Sequence, residues 1–313
     1  MDIFFNLIRF VINKNILFMD DILSIKPLCD SDIKFVTEIS RKEGFAPGVG
    51  DLGIYQNTDN QGLWVGWIND NPIGCIAGVR YNENYGFLGL FLVIEEYRGR
   101  GFGLQLWKKA LAHLSDLPCI GLEAAPERIE DYSKWGFTTS SKTTRWQWLG
   151  DGKFLEESFC DYDLRNFYFV EGSSIPPNAV EQFDEKRENT PRPHFLSNWL
   201  NHPAGKVIAV IDDSRLCHGF GRIRPCLLQS GEGWRIGPLM ADSPRLLKIL
   251  LRKLIDSHPG LIIIDSPGVN KSASELFKDL GFKSESETFR MYRGYQPPVS
   301  MNDVYGLACL ELG

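Results

Sequence analysis

One interval recurs along this chain and limits what it can build. Gly136-Phe137 and Gly281-Phe282 stand 145 residues apart, and so do Arg145 and Arg290. The same series leads up to each Gly-Phe step. An apolar run ends in a carboxylate (Cys119 to Glu123, then Leu261 to Asp265). A helical stretch follows, with an aromatic residue four positions before the glycine (Tyr132, then Phe277). A strand-like segment carrying the arginine comes after. Equal spacing of strand, helix, turn and strand is the mark of duplicated architecture. The turn-forming stretch Gly150-Asp151-Gly152 is the natural boundary between the copies.

Only the first copy has a glycine-rich junction. The apolar run Phe87 to Ile94 is followed by Glu95-Glu96-Tyr97 and then by Arg98-Gly99-Arg100-Gly101-Phe102-Gly103, which opens a helical pattern from Leu104 to Leu114. Glycines let the backbone close tightly and aim several N–H groups at one point. The helix start adds unpaired N–H groups and the positive end of its dipole, a combination that binds phosphate. Arg98 and Arg100 would add charge beside it. A Walker loop is excluded, because Gly-Lys-Ser/Thr is missing; a dinucleotide fingerprint is excluded, because Leu104 stands where its third glycine belongs. What remains is R-x-x-G-x-G, formed by Arg98, Gly101 and Gly103.

That pattern resembles the acetyl-CoA pyrophosphate loop of the GNAT superfamily of N-acetyltransferases. Tyr132-Ser133-Lys134-Trp135-Gly136-Phe137 resembles the family's Tyr-x-x-x-Gly-Phe motif, and the likeness covers residues 22–150. It implies an α/β (α+β) fold of two tandem GNAT-like domains. Each would be a mixed, mostly antiparallel sheet with splayed central strands, flanked by helices. The chain then divides into a leader (1–21), an acetyltransferase domain (22–150) and a degenerate second domain (151–313). In the second domain Ala241-Asp242-Ser243-Pro244 replaces the glycine loop and Phe277 replaces Tyr132. Glu43 to Asp51 and Ile73 to Tyr81 resemble early motifs of a bacterial tandem subgroup, which more often has Trp-Asn at Phe45-Ala46 and Asp at Glu123.

The resemblance also implies a site. Acetyl-CoA would be the co-substrate and an amine the acceptor. Leu92 and Val93 would meet the pantetheine arm, with an N–H near Val93 on the thioester oxygen. Arg98, Gly99, Arg100, Gly101, Phe102, Gly103 and Leu104 would hold the pyrophosphate. Tyr132 would give its proton to the departing sulfur. Tyr85 to Val93 contains no carboxylate, so the base comes from elsewhere: Asp51, Glu123, Glu43 and Glu127 are the candidates, and a water chain can serve instead.

Bulk properties agree with a globular enzyme. Of 313 residues 43% are hydrophobic and 24% charged, enough for about two domains. A net charge of −6 argues against nucleic acid as a partner and suits a cationic substrate. The seven cysteines are scattered without C-x-x-C, the pattern of reduced thiols and so of a cytoplasmic location. The five histidines lack ligand spacing, so no metal is expected. Met1 to Phe18 is apolar but interrupted by Asn6, Arg9, Asn13, Lys14 and Asn15, which makes it a poor signal peptide and too short to span a bilayer. Val304 to Leu312 alternates as a final strand.

Overall fold

The computed structural model describes residues 21–151 and 166–313, so the expectations for the leader lie outside the described residues. The first half runs β1 (Ser24–Pro27), α1 (Ile33–Lys42), α2 (Asp51–Thr58), β2 (Leu63–Ile68), β3 (Asn71–Arg80), β4 (Tyr85–Val93), α3 (Phe102–His113), β5 (Cys119–Ala124), α4 (Ile129–Ser133) and β6 (Thr138–Gly150). The second repeats that order. It runs β7 (Phe167–Glu171), α5 (Pro177–Glu185), α6 (Pro193–Asn201), β8 (Lys206–Asp212), β9 (Cys217–Leu227), β10 (Glu232–Ala241), α7 (Pro244–Ile255), β11 (Gly260–Pro267), α8 (Lys271–Asp279) and β12 (Lys283–Gly294), with β13 (Val304–Gly306) added at the end.

The thirteen strands of the described residues form one sheet, in the order β1-β2-β3-β4-β5-β12-β6-β11-β10-β9-β8-β7, with β13 on β10. The last long strand of each half has crossed over. β12 pairs with β5 of the first half, β6 pairs with β11 of the second, and the two crossing strands pair with each other. The recurring interval acquires a physical meaning here. Arg290 lies opposite Glu123 and Arg145 opposite Asp265, and each pair closes a buried ion pair, at 2.6 and 2.7 Å.

Sequence pattern explains the layers. β4 and α3 share an apolar cluster on one face of the sheet: Leu88, Leu106, Trp107, Ala110, Leu111 and Leu114 are buried together. α1 and α2 cover the other face through Val36, Ile39, Leu52, Ile54 and Tyr55. α7 is buried almost all round its apolar side, and each leucine that it removes from water contributes about 1.5–3 kcal/mol. The expected final strand is shorter than the alternation suggested. β13 has three residues, and the segment beyond it is buried without being a strand. Among the described residues no helix is long and apolar enough to cross a membrane.

Candidate active site

The site begins where two parallel strands part. β4 and β5 pair from Tyr85 opposite Cys119 to Leu88 opposite Leu122, and no further. Beyond Leu88 the β3–β4 register slips: Gly89 faces Ala77 while Leu92 faces Cys75. One extra residue is accommodated as a bulge, and Leu90 takes a left-handed φ of 48°. Such a conformation costs a leucine on the order of 1–3 kcal/mol. The bulge bends β4 away from β5 and opens a slot.

The polarity of that edge follows from one bond. Ile94 N donates to Ile73 O at 2.9 Å, so residues 92 and 94 turn their peptide groups toward β3. Val93 therefore turns its N–H into the slot, whereas the peptide groups of Leu92 belong to the sheet. Of the two residues expected to meet a pantetheine arm, only Val93 offers a free N–H.

The glycine-rich turn sits beside the slot. Gly99 and Gly101 have φ of 72° and 82°, and no heavy atom beyond their chain neighbours lies within 4 Å of where their Cβ atoms would be. Gly101 is the N-cap of α3, with no side-chain cap, and the helix ladder starts with Gln105 N to Gly101 O at 3.3 Å. The N–H groups of Phe102, Gly103 and Leu104 are thus without an internal acceptor. A Cβ on Gly103 would lie 3.3 Å from the Phe91 ring and 3.5 Å from Val93 Cγ2, so the helix start rests directly on the slot strand. These features fit a diphosphate and its arm: open main-chain donors at one end, an unpaired strand edge at the other.

The arginines of the loop behave differently from expectation. Arg98 Nε donates to Val93 O at 2.7 Å, and Arg98 Nη2 meets Glu43 at 2.5 Å. Arg100 pairs with Asp21 and lies over the rings of Tyr97 and Phe102. Both charges are already compensated, so the cradle is built of main chain. Exposed pairs of this kind are worth about 0–1 kcal/mol and can be exchanged for a phosphate at little cost.

Tyr132 projects from α4 against Trp107, ring centroids 5.1 Å apart, and Trp107 in turn touches Phe91 at 5.7 Å. Burial pushes its hydroxyl up to about 12, which keeps it protonated at neutral pH.

Two of the four candidate bases, Asp51 and Glu123, are held in buried ion pairs. Asp51 is buried at the start of α2, where Arg224 holds it from Nε at 2.8 Å and from Nη2 at 2.9 Å, and Gly48 N donates at 3.1 Å. Burial raises its carboxyl, but Arg224, Arg235 and Arg222 together more than offset this and leave it below the ordinary value. Glu123 stands one residue beyond the last β4–β5 pair. It accepts from Arg290 Nε at 2.6 Å, Thr288 at 2.9 Å and Thr143 at 3.1 Å. Each is held by a buried guanidinium. Glu43 is bridged to Arg98, and Glu127 is exposed in the turn Pro126–Arg128.

Two contributions were not anticipated from sequence. The loop that ends at Asp51 is clamped by the β9–β10 region of the second half. Arg235 donates to the carbonyls of Phe45 and Ala46, Val49 N to Pro225 O and Leu227 N to Pro47 O, while Arg145 holds Gly44 O. The signal was present in the row of arginines (Arg222, Arg224, Arg235) inside otherwise apolar strands. The other contribution is the segment after β13. Leu307 N donates to Asp265 O, Arg224 to Ala308 O and Tyr81 to Leu312 O. The Glu311 carbonyl lies 1.8 Å from where a Cβ on Gly89 would be, so only glycine lets the segment rest on β4.

In the second half each feature of the site is closed. Ser243 Oγ caps α7 by accepting from Leu246 N at 3.3 Å, and Pro244 brings no N–H. β13 pairs with β10 beyond the last β10–β11 pair, and Leu307 bonds to β11, so chain fills the corresponding slot. Asp242 is engaged by Arg187 and His218. Phe277, at the position of Tyr132, is fully buried. Among the described residues no three His, Cys, Asp or Glu gather as a metal site.

Residues 33–137 match the acetyltransferase (GNAT) family, and residues 180–306 match an acetyltransferase (GNAT) domain. The chain is 30% identical over 290 residues to a holothin acyltransferase of Pseudoalteromonas sp. (strain SANK 73390), covering 92% of this chain and 94% of that one. In fold it is similar to a solved protein of Pyrococcus horikoshii, with a TM-score of 0.75, 23% identity and coverage of 95% and 98% of the two chains. It is also similar to a tandem GNAT protein from the clavulanic acid biosynthesis pathway, with a TM-score of 0.62, 14% identity and coverage of 87% and 98%. A slot with an uncapped helix start in one half, the same elements closed in the other, and these matches lead to one conclusion: the chain belongs to the GNAT acyltransferase family and carries two GNAT domains in tandem.

Proposed function

We propose that the first domain transfers an acetyl group from acetyl-CoA directly to an amine, with donor and acceptor bound together. The observation that carries this reading is the contrast between the halves. The β4–β5 slot and the start of α3 are open, whereas β13 and Ser243 close their counterparts. One donor therefore binds per chain. The N–H groups of Phe102, Gly103 and Leu104 and the turn at Gly99–Gly101 hold the diphosphate. Val93 N–H points at the thioester oxygen, a donor worth roughly 3 kcal/mol when charge develops there. Tyr132 protonates the departing sulfur. The second domain serves as a frame, fixing the acceptor-side loop through Arg145, Arg224 and Arg235. Most of the rate gain comes from positioning.

Calorimetry with acetyl-CoA and release of free thiol in the presence of an amine panel test this. Binding of one equivalent is expected, weakened at least about tenfold in Gly101→Asp, which should still fold but melt slightly lower because its φ of 82° strains any side chain. No heat from acetyl-CoA would remove the reading. Holothin, for which the Pseudoalteromonas relative is named, belongs in the panel. Longer acyl-CoA donors belong there too, because that relative is named for acyl rather than acetyl transfer.

A further inference from the structure

The inner end of the slot is met by a carboxylate from the other half of the chain. Glu311 belongs to the segment after β13. Its backbone rests on Gly89, the first residue of β4 beyond the last β4–β5 pair, with its Cα 3.0 Å from where a Cβ on Gly89 would be. Its side chain is 4% exposed. Arg235 Nη1 donates to Glu311 Oε1, to Phe45 O and to Ala46 O, each at 3.3 Å. The carboxylate therefore stands where the slot strand, the acceptor-side loop and the segment after β13 come together.

Its two oxygens differ. Oε1 has one long bond from a nitrogen that serves three acceptors. Oε2 is buried and has no hydrogen-bond partner among the described residues. Buried polar atoms are nearly always hydrogen-bonded, so a bare carboxylate oxygen marks a place where a donor is due. Asp51 and Glu123 lack this feature, since both oxygens of each accept hydrogen bonds. Glu188 also has a bare oxygen, but it shares Arg192 with Asp184 and lines a cavity with Tyr81, Tyr85 and Leu312. Tyr85 is where the β4–β5 pairing begins, about 13 Å along the strand from Gly89, where the slot opens.

We propose that Glu311 is the general base of the slot, its Oε2 accepting a hydrogen bond and then a proton from the acceptor's ammonium group. The proposal rests on the acyl-transfer reading and adds to it a catalytic residue from the second half. The proton moves from nitrogen to Oε2, which frees the nitrogen lone pair. The amine attacks the thioester carbonyl carbon. As the C–N bond forms and the C–S bond breaks, a second nitrogen proton leaves to water, and the thiolate takes the proton of Tyr132. Tyr132 regains a proton from solvent, and Glu311 gives its own to water once the product has left.

The test uses the full chain, acetyl-CoA and two acceptors at about pH 7, benzylamine, which is a cation there, and hydroxylamine, which is uncharged. Turnover is read as thiol release above the uncatalysed background and by product mass. Glu311→Gln keeps an acceptor for Arg235 but cannot take the proton. It is expected to lower kcat for benzylamine by about 10²–10⁴-fold, with acetyl-CoA affinity unchanged by calorimetry, and to lower kcat for hydroxylamine by less than about threefold. Glu311→Asp should retain more of the benzylamine turnover than Glu311→Gln, and Glu188→Gln should alter neither acceptor by more than about threefold. Both acceptors are measured on one preparation, so a partly unfolded variant lowers both alike and leaves their ratio to decide. An unchanged ratio in Glu311→Gln, or a benzylamine-selective loss in Glu188→Gln instead, would overturn the assignment while leaving acyl transfer standing. A wild-type chain that binds acetyl-CoA but acetylates neither acceptor would overturn both.

Discussion

Tyr132 is the residue whose chemistry is easiest to isolate. Its hydroxyl is raised to about 12 by burial, so it remains a proton donor throughout the neutral range. Tyr132→Phe is expected to keep acetyl-CoA affinity and to lower kcat by roughly 10²–10⁴, the usual scale for a positioned acid. The pH profile supplies an independent check. No loss of rate from ionisation of this group is expected below about pH 11, and a descending limb near pH 8–9 would assign the acid elsewhere. At this scale the sequence was informative where geometry is local. The left-handed glycines at 99 and 101, the uncapped helix start and the place of the tyrosine before Gly136 depend on a few neighbouring residues. The surroundings of Asp51 and Glu123 could not be read, because the partners that neutralise them stand 173 and 167 positions away.

Among the elements, the two helix starts explain why one junction leaves main-chain donors free and the other does not. α3 begins at an uncapped glycine, and α7 begins at a serine that caps and a proline that lacks a donor. Both starts were legible, since capping chemistry lies within four residues. The crossing strands also carry a measurable electrostatic load. Burial raises the Asp265 carboxyl, but Arg145 and Arg235 outweigh it, leaving it at about 2 against an ordinary 3.8. A depressed carboxyl contributes stability that is complete above its unfolded value and is lost as pH falls through its folded value. Asp265 should therefore supply on the order of 2 kcal/mol above about pH 4, declining toward pH 2. In Asp265→Asn the acid-induced fall in stability between these values should flatten, as measured by urea unfolding at each pH. The variant should also be less stable at pH 7, by about 3–5 kcal/mol, because Arg145 loses its buried partner.

For the whole molecule, the exchange of β6 and β12 governs behaviour. Each half closes its sheet with a strand from the other, so the two should melt together. A single calorimetric transition is expected, with calorimetric and van't Hoff enthalpies in agreement. Residues 21–151 alone would leave the β12 side of β5 and both sides of β6 unpaired, and should show no cooperative transition. Two separate transitions, or a well-folded fragment, would contradict this. The repeat in the sequence announced two copies but not their exchange. Arg290 could meet a carboxylate in its own copy or in the other with the same spacing, and only the paired strands decide.

A second copy with its slot filled and its helix start capped would ordinarily be free to decay and vanish from a gene. Here its loss would remove the strand that completes the working sheet, together with the arginines that hold the acceptor loop. The second copy's own loops can drift, but truncation is barred, and selection on either half preserves both.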